Sequence, residues 1–272
     1  MDFDFSQIAV PFRMQPGLRR VSADGPHLTP LVAGSGMHAE KLNVLQLQQS
    51  RHAIPGFDAA PALAAIAAHA RFPWPSQSLE LAFEEDFAVL DGATGTIPWL
   101  CVSLPSHWVP EDKAGLSLAE IHAPVADNAA LLAATSGLVK LVTQGGYWER
   151  YVWTLTPSAR YDQHPGRHPR TTWPDIEDLN AFASQCHLRV ERQAFLPVID
   201  VHGEPLPQAV FTIRVMLEPL NKAVRTGADA LRLHDALASM SPAVLDYKNL
   251  GPARARLLPW LAQRASETSP GQ

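Results

Sequence analysis

The stretch Leu188–Met216 decides the fold, because it holds two runs with the periodicity of β-strands. Leu188–Gln193 reads LRVERQ and Val210–Met216 reads VFTIRVM. Successive side chains of a strand point to opposite faces, so apolar residues at every second position predict strands. The turn sequence HGEP at 202–205 separates the runs and predicts an antiparallel pair. In the first strand one face carries Leu188, Val190 and Arg192, and the other carries Arg189, Glu191 and Gln193.

Two arginines lie among the apolar positions of these strands. Arg192 and Arg214 each share a face with aliphatic neighbours. An unpaired buried guanidinium is costly, so each needs an anionic partner. One alternative is a structural network with Glu191 and Glu218. The other is a bidentate contact with carboxylate groups of a bound cofactor.

The rest of the chain supplies further strands and several helices. Tyr147–Thr156 alternates as a strand whose aromatic face, including Trp153, either lines a ligand pocket or packs in a core. Ile97–Val102 is predicted as the first strand of the sheet. Helical patterns are found at Ala59–Ala70, Leu79–Leu90, Asn128–Val142, Pro174–His187, Pro219–Met240 and Pro252–Arg264. We therefore predict a single α+β domain over 1–272, with an extended arm at about 1–36 and a frayed tail at about 266–272.

A histidine at the end of a very short helix is the first candidate for chemistry. Ser117–Glu120 (SLAE) has the spacing of a capping box, and Pro124 disfavours the α conformation at the residue before it. The helix is therefore predicted to end at His122. There the imidazole either caps the free carbonyl groups of its own helix or serves as a metal ligand. These residues alone leave both readings open.

Composition excludes several classes of function. The chain has 272 residues, 46% of them apolar and 18% charged, which is typical of a globular protein. A formal charge of −5 without any run of basic residues argues against nucleic-acid binding. Cys101 and Cys186 are far apart and lack the CxxCH spacing of a covalently attached haem. No signal sequence or membrane-length apolar run is found, so we expect a cytoplasmic protein that does not bind membranes.

Several strings along the chain resemble the family of haem-dependent oxidative N-demethylases. They begin at Pro11–Leu18 (PFRMQPGL), include PSHW at 105–108 and EDKAGLSLAEIHAPV at 111–125, and continue through the two strands to DYKNL at 246–250. The resemblance covers nearly the whole chain. It implies a PAS-like antiparallel sheet that holds haem b. It also implies that a methyl group of a small secondary amine, such as dimethylamine, is oxidised with dioxygen and externally supplied electrons.

The resemblance also implies roles for individual residues. His122 would ligate the haem iron, and His107 in the PSHW string is a rival ligand, because a small residue is more usual in the family at that place. Glu191 or Asp162 would pair with the substrate ammonium or manage protons, although each is equally compatible with an ordinary salt bridge. Candidate contacts to the cofactor are His122, Arg192, Arg214, Trp153 and Arg150.

Electrons must reach such a haem from outside this chain. The sequence has no glycine-rich dinucleotide fingerprint after a strand and no cysteine set for an iron–sulfur cluster. We therefore expect a separate flavin and iron–sulfur reductase as a partner protein, beside the amine and dioxygen. Two alternatives stay open: a haem-binding PAS-like sensor without turnover, and a family member that has lost the haem.

Overall fold

A computed structural model describes residues 1–73, 78–200 and 202–267. Within these ranges the chain forms a seven-stranded sheet in which every neighbouring pair is antiparallel, in the order β1-β5-β6-β7-β3-β4-β2. The strands are β1 (Arg19–Arg20), β2 (Arg51–Ala53), β3 (Glu85–Asp91), β4 (Trp99–Cys101), β5 (Trp148–Thr156), β6 (His187–Ile199) and β7 (Pro205–Pro219). This confirms the predicted α+β class and is consistent with a PAS-like fold.

Helices flank the sheet on both faces. They are α1 (Gly36–Gln46), α2 (Ala60–His69), α3 (Leu79–Ala82), α4 (Leu118–His122), α5 (Ala129–Val142), α6 (Leu179–Ser184), α7 (Leu220–Ala223), α8 (Gly227–Ala238), α9 (Pro242–Tyr247) and α10 (Gly251–Glu267). In the described part of the chain, none of them is both long and apolar enough to span a membrane. Helix α10 continues past the predicted end at Arg264. Of the predicted frayed tail, 268–272 lies outside the described residues.

Strands β6 and β7 form the centre of the sheet and are longer than the sequence pattern predicts. Their register pairs Val190 with Met216 and Phe195 with Phe211. The register shifts between Pro197 and Ile199, because a proline cannot donate a ladder hydrogen bond. The sequence pattern suggests that Pro197, Pro205 and Pro219 lie outside the strands. In the structure all three belong to β6 or β7, where the backbone stays extended.

The prediction of a helix over Leu79–Leu90 is wrong for most of its length. Helix α3 stops at Ala82, and β3 begins at Glu85 between β7 and β4. Its residues through Leu90 are all buried. A strand buried on both faces shows a continuous apolar run rather than an alternation, and such a run is hard to distinguish from a helix by pattern alone.

Three further predictions of element bounds are corrected. The helix predicted from Pro174 begins at α6 instead, where the Asp178 side chain accepts a hydrogen bond from the Ala181 amide. The long helix predicted over Pro219–Met240 is divided into α7 and α8, because Thr226 starts a second capping box. The segment Ile97–Val102 contains β4, which is the fourth strand along the chain rather than the first.

The two faces of the sheet have different partners. One face carries Trp153, Leu188 and Val190 into a core with α6, α8 and α10, and this core extends towards α2. The opposite face carries Phe195 and Phe211 towards α4 and α5. The N-terminal residues cross the molecule, and Phe12 packs edge-on against Trp153 at a centroid distance of 5.8 Å. The second face is the one that holds the site.

Candidate active site

A large cavity lies between the second sheet face and helices α4 and α5. Its volume is about 570 Å³, within the usual range for small-molecule sites. Leu131, Leu138 and Val142 form the wall on the side of α5, while Phe195 and Phe211, whose rings stack at 4.7 Å, form the wall on the sheet. The cavity is therefore mainly apolar, and its polar groups come from β5 and β6 and from the surrounding loops.

His122 lies in the wall of this cavity at the C-terminus of α4. Its Nδ1 atom is 2.7 Å from the Leu118 carbonyl oxygen, so Nδ1 carries the proton and donates. Burial, followed by the charges of Arg150 and Lys113, lowers the pKa of His122 despite that hydrogen bond. The ring is therefore neutral near neutral pH, with an unshared electron pair on Nε2. The helix-cap alternative is therefore confirmed for Nδ1, while Nε2 stays available for the metal-ligand alternative, which stays a prediction.

The short helix that presents His122 is fixed at both ends. At its start Ser117 and Glu120 form the predicted capping box. The end at His122 is also as predicted, since α4 covers Leu118–His122. The Asn128 side chain donates to the carbonyl oxygens of His122 and Ala123, at 3.0 and 2.9 Å. Asn128 therefore holds the end of α4 rather than capping α5 with its side chain.

The second histidine of this region, His107, also lines the cavity. Its φ angle of 60° lies in the left-handed region, which non-glycine residues rarely adopt. Its amide donates to the Gln163 carbonyl oxygen at 3.2 Å. Burial, then the charges of Arg170 and Arg189, lowers the pKa of His107 to about 4. This neutral imidazole stays a rival metal ligand.

A hydrogen-bonded row of side chains runs along β6 in the wall of the cavity. Arg189 donates from Nε to Ser106 Oγ at 2.8 Å, and the Ser106 hydroxyl donates to Glu191. Gln193 donates to the other Glu191 oxygen at 2.7 Å and accepts from Arg150 Nε at 2.7 Å. The predicted face of Arg189, Glu191 and Gln193 is thus the cavity face. Sequence reasoning placed these side chains together but missed Ser106.

The backbone around Ser103 and Leu104 is held by buried charges, which fixes the position of Ser106. Asp86 accepts from the Leu104 amide at 2.7 Å and pairs with Lys41 at 3.0 Å. Arg189 donates to the Leu104 carbonyl oxygen at 3.1 Å. These contacts make the loop after β4 a rigid part of the cavity wall.

Asp162 belongs to this supporting structure rather than to the cavity wall. Its carboxylate pairs with Arg167 at 2.7 Å and lies 3.2 Å from His168 Nε2. Arg167 in turn donates to the Ser103 carbonyl oxygen at 3.1 Å. Asp162 is not among the residues that line the cavity. The structure therefore supports the salt-bridge alternative for this residue.

Arg192 and Arg214 also lie away from the cavity. They are on the opposite face of the sheet, directly across from each other in the register of β6 and β7. Arg192 pairs with Glu149 at 2.8 Å, and Arg214 pairs with Glu84 at 2.7 Å. The expected anionic partners are present, but they come from β5 and from the residue before β3.

The glutamates predicted as partners of these arginines are engaged elsewhere. Glu191 accepts from Ser106 and Gln193 on the cavity face, and Glu218 lies 3.6 Å from Arg225. The predicted pairing is corrected accordingly. The side chains of Arg192 and Arg214 do not reach the cavity that a cofactor would fill.

The aromatic face of β5 packs mainly in the core, while the alternate residues face the cavity. Arg150, Val152 and Thr154 line it together with their cross-strand partners on β6. Trp153 is buried in the core and borders the cavity. Its carbonyl oxygen accepts a hydrogen bond from Lys248 Nζ at 2.9 Å. Lys248, in the DYKNL string, is a cavity residue to which sequence reasoning gave no role.

The cavity fits a haem better than a bare metal ion. No group of three or more His, Cys, Asp or Glu side chains in the described ranges is arranged to hold an ion. A haem brings its own nitrogen ligands for the iron, so the protein would need to supply only one more, which His122 or His107 could provide. The apolar walls suit the macrocycle, and Arg150 offers a cation to its carboxylates.

A comparison with protein families agrees with this geometry. The family model described as haem-dependent oxidative N-demethylase, alpha subunit-like, matches residues 69–258, well over half of the chain. The chain belongs to this family. The matched region of this N-demethylase family member contains α4, β5, β6 and Lys248. Residues before it complete the cavity, since Met14, Gln15 and Leu18 also line it.

Proposed function

We propose that this chain is a haem-dependent oxidative N-demethylase that holds haem b through His122 and acts on a small secondary amine such as dimethylamine. The observation that carries the proposal is a neutral imidazole with a free Nε2 in the wall of an apolar cavity of about 570 Å³. When bound, the haem would supply the oxidation of the methyl group with dioxygen and electrons. Family membership supports the same reaction class.

The residues of the chain would bind and orient the reactants. The aromatic and aliphatic walls exclude water from the methyl group. Glu191 offers a carboxylate to the substrate ammonium, because each of its oxygens has spare acceptor capacity beside the hydrogen bond from Ser106 or Gln193. The row from Arg189 to Gln193 holds this carboxylate in place.

The electrons would come from a separate flavin and iron–sulfur reductase. The family description as an alpha subunit supports a chain that works with partner proteins. In the proposed assembly the amine and dioxygen enter the cavity of this chain, while the flavin and the iron–sulfur cluster stay on the partner.

An absorption spectrum tests the haem and its ligand. Protein expressed with haem supplied is expected to show a Soret band, which shifts or disappears in His122→Ala. His107→Ala tests the rival ligand, and His202→Ala, at an exposed turn, is the matched control. A spectrum that is unchanged in His122→Ala but altered in His107→Ala would show that His107, not His122, is the iron ligand.

Turnover separates the enzyme from a sensor. Haem-loaded protein given dimethylamine, dioxygen and a surrogate reductant is expected to release formaldehyde. A haem-loaded protein that releases none with any small N-methyl amine would be a sensor. A protein that takes up no haem would be a degenerate family member.

A further inference from the structure

Two half-buried cations that line the cavity, Arg150 and Lys248, have no carboxylate partner among the described residues. Arg150 donates to neutral acceptors, Gln193 Oε1 at 2.7 Å and the Pro16 carbonyl oxygen at 3.3 Å. Lys248 donates to the Trp153 carbonyl oxygen at 2.9 Å. Neither makes an ion pair with a carboxylate anywhere in the described ranges. Both have N–H donors left over, because a guanidinium has five and an ammonium three.

Several other cations near the sheet have their partners within the protein. Lys41, Arg192 and Arg214 each pair with a carboxylate at 3.0 Å or less. Arg189 has no carboxylate partner, but its three nitrogens donate to Ser106, Arg160 and Leu104. Arg150 and Lys248 are therefore cavity cations near Glu191 that have no carboxylate partner and keep unused N–H donors.

Desolvation makes these two charges costly. Burial lowers the pKa of Arg150 to about 10 and the pKa of Lys248 to about 8, and in both cases the Glu191 charge acts in the opposite direction. The single carboxylate of Glu191 thus stabilises the charged forms of both Arg150 and Lys248. A bound anion would offset this excess positive charge, since a desolvated ion is stabilised by a partner of opposite sign.

The position of the two cations defines the kind of ligand. Arg150 is opposite Gln193, Val152 is opposite Glu191, and the next residue after Val152 holds Lys248 through its carbonyl oxygen. We propose that Arg150 and Lys248 form a carboxylate-binding site beside Glu191. The carboxylate belongs either to a haem propionate or to an amine substrate of the N-methyl amino acid class, whose ammonium group Glu191 would hold. The carboxylate-binding site itself is independent of the proposed function. Only the assignment of its ligand as a haem propionate or an N-methyl amino acid rests on that function.

The first arm of the test compares haem with its dimethyl ester, in which the propionates are uncharged. Binding is followed by the Soret band and by quenching of tryptophan fluorescence. If the propionates occupy the site, the wild-type protein binds the ester about tenfold or more weakly than haem. Arg150→Gln and Lys248→Met are expected to remove most of that difference, Lys248→Arg to keep it, and Lys140→Met, on the exposed face of α5, to leave it unchanged.

The second arm compares N-methylglycine with dimethylamine on the haem-loaded protein, by the change in the Soret band. If a substrate carboxylate occupies the site, N-methylglycine binds more tightly, and the preference is lost in the same two variants. Equal binding of haem and its ester, together with no preference between the amines, overturns the proposal.

A third measurement separates this proposal from the proposed function. If neither haem nor its ester binds, the demethylase proposal fails. The carboxylate-binding site is then tested by measuring the melting temperature with added propionate. Sodium propionate is expected to raise the melting temperature of the wild type relative to equal sodium chloride, and not that of Arg150→Gln or Lys248→Met. The same rise in all three proteins would refute the site.

Discussion

His122 Nδ1 donates to the carbonyl oxygen of Leu118, one helical turn earlier, at 2.7 Å. This hydrogen bond gives the Leu118 carbonyl oxygen a side-chain donor, and it also selects the tautomer. Because the acceptor is backbone, it remains in place when the side chain is changed. The cavity should therefore accept a separate imidazole in the same orientation.

This relationship predicts chemical rescue. His122→Gly should lose the iron ligand, so the Soret band should shift or disappear. The cost in stability should be modest, because the position is the last of its helix. Added imidazole should restore the band by donating to Leu118 and ligating the iron. His107→Gly, with the same loss of a ring from the cavity wall, serves as the control and should not respond. Rescue of His107→Gly but not of His122→Gly would show that His107 is the iron ligand.

Ser106 and Ser103 provide a matched pair of hydroxyl deletions. Ser106→Ala leaves Arg189 Nε and one Glu191 oxygen without their partner, so unfolding free energy should fall by about 1–3 kcal/mol. The Ser103 hydroxyl is buried without a hydrogen bond to the described residues. Ser103→Ala should therefore be neutral or slightly stabilising. Urea unfolding measures both, and equal losses would argue against the proposed row of side chains.

Much of the fold follows from local pattern. The alternation in β5, β6 and β7 correctly assigned which residues share a face, because successive side chains of a strand point to opposite faces. The capping box likewise placed the start of α4. Its end at His122 is as predicted, although Ala123 adopts the α conformation that Pro124 was expected to disfavour. Strand β3 was misread for the complementary reason: both of its faces are buried, so its pattern has no period of two.

The site was harder to predict, because its partners come from distant segments. The rule that strand arginines need anions holds for Arg192 and Arg214, yet nothing local indicates that Glu149 and Glu84 are their partners. Lys248 follows a short helix and shows no pattern of its own. It reaches the cavity only because α9 places it over β5.

The arginines on the far face of the sheet should not contribute to haem binding. Arg192→Gln and Arg214→Gln are each expected to keep the haem affinity of the wild type within about twofold. Each should lower the unfolding free energy by about 1–3 kcal/mol, because a largely buried carboxylate loses a hydrogen-bonding partner. Soret titration and urea unfolding test the two parts separately. A large loss of haem affinity in a variant that remains folded would show that the substituted arginine contributes to haem binding.

The pair of Glu80 and Arg51 predicts how stability depends on pH. Burial alone would raise the pKa of Glu80, but hydrogen bonds from Arg51 at 2.8 and 2.9 Å and from Ser50 at 2.8 Å outweigh it and lower this pKa from 4.5 to about 2. The folded state therefore binds fewer protons than the unfolded state between these values. The pair stabilises the fold fully above pH 4.5, and this contribution is lost as pH falls towards 2.

Comparison with Glu80→Gln isolates this contribution from the other groups that titrate in acid. Since Arg51 is half exposed and screened by solvent, we expect the wild type to be more stable by about 2 kcal/mol near neutral pH. The difference should decrease steadily below pH 4.5 and approach the cost of the neutral substitution near pH 2. Urea unfolding at a series of pH values measures it. A difference that stays constant over this range would show that the pair contributes through packing and neutral hydrogen bonds, not through the Glu80 charge.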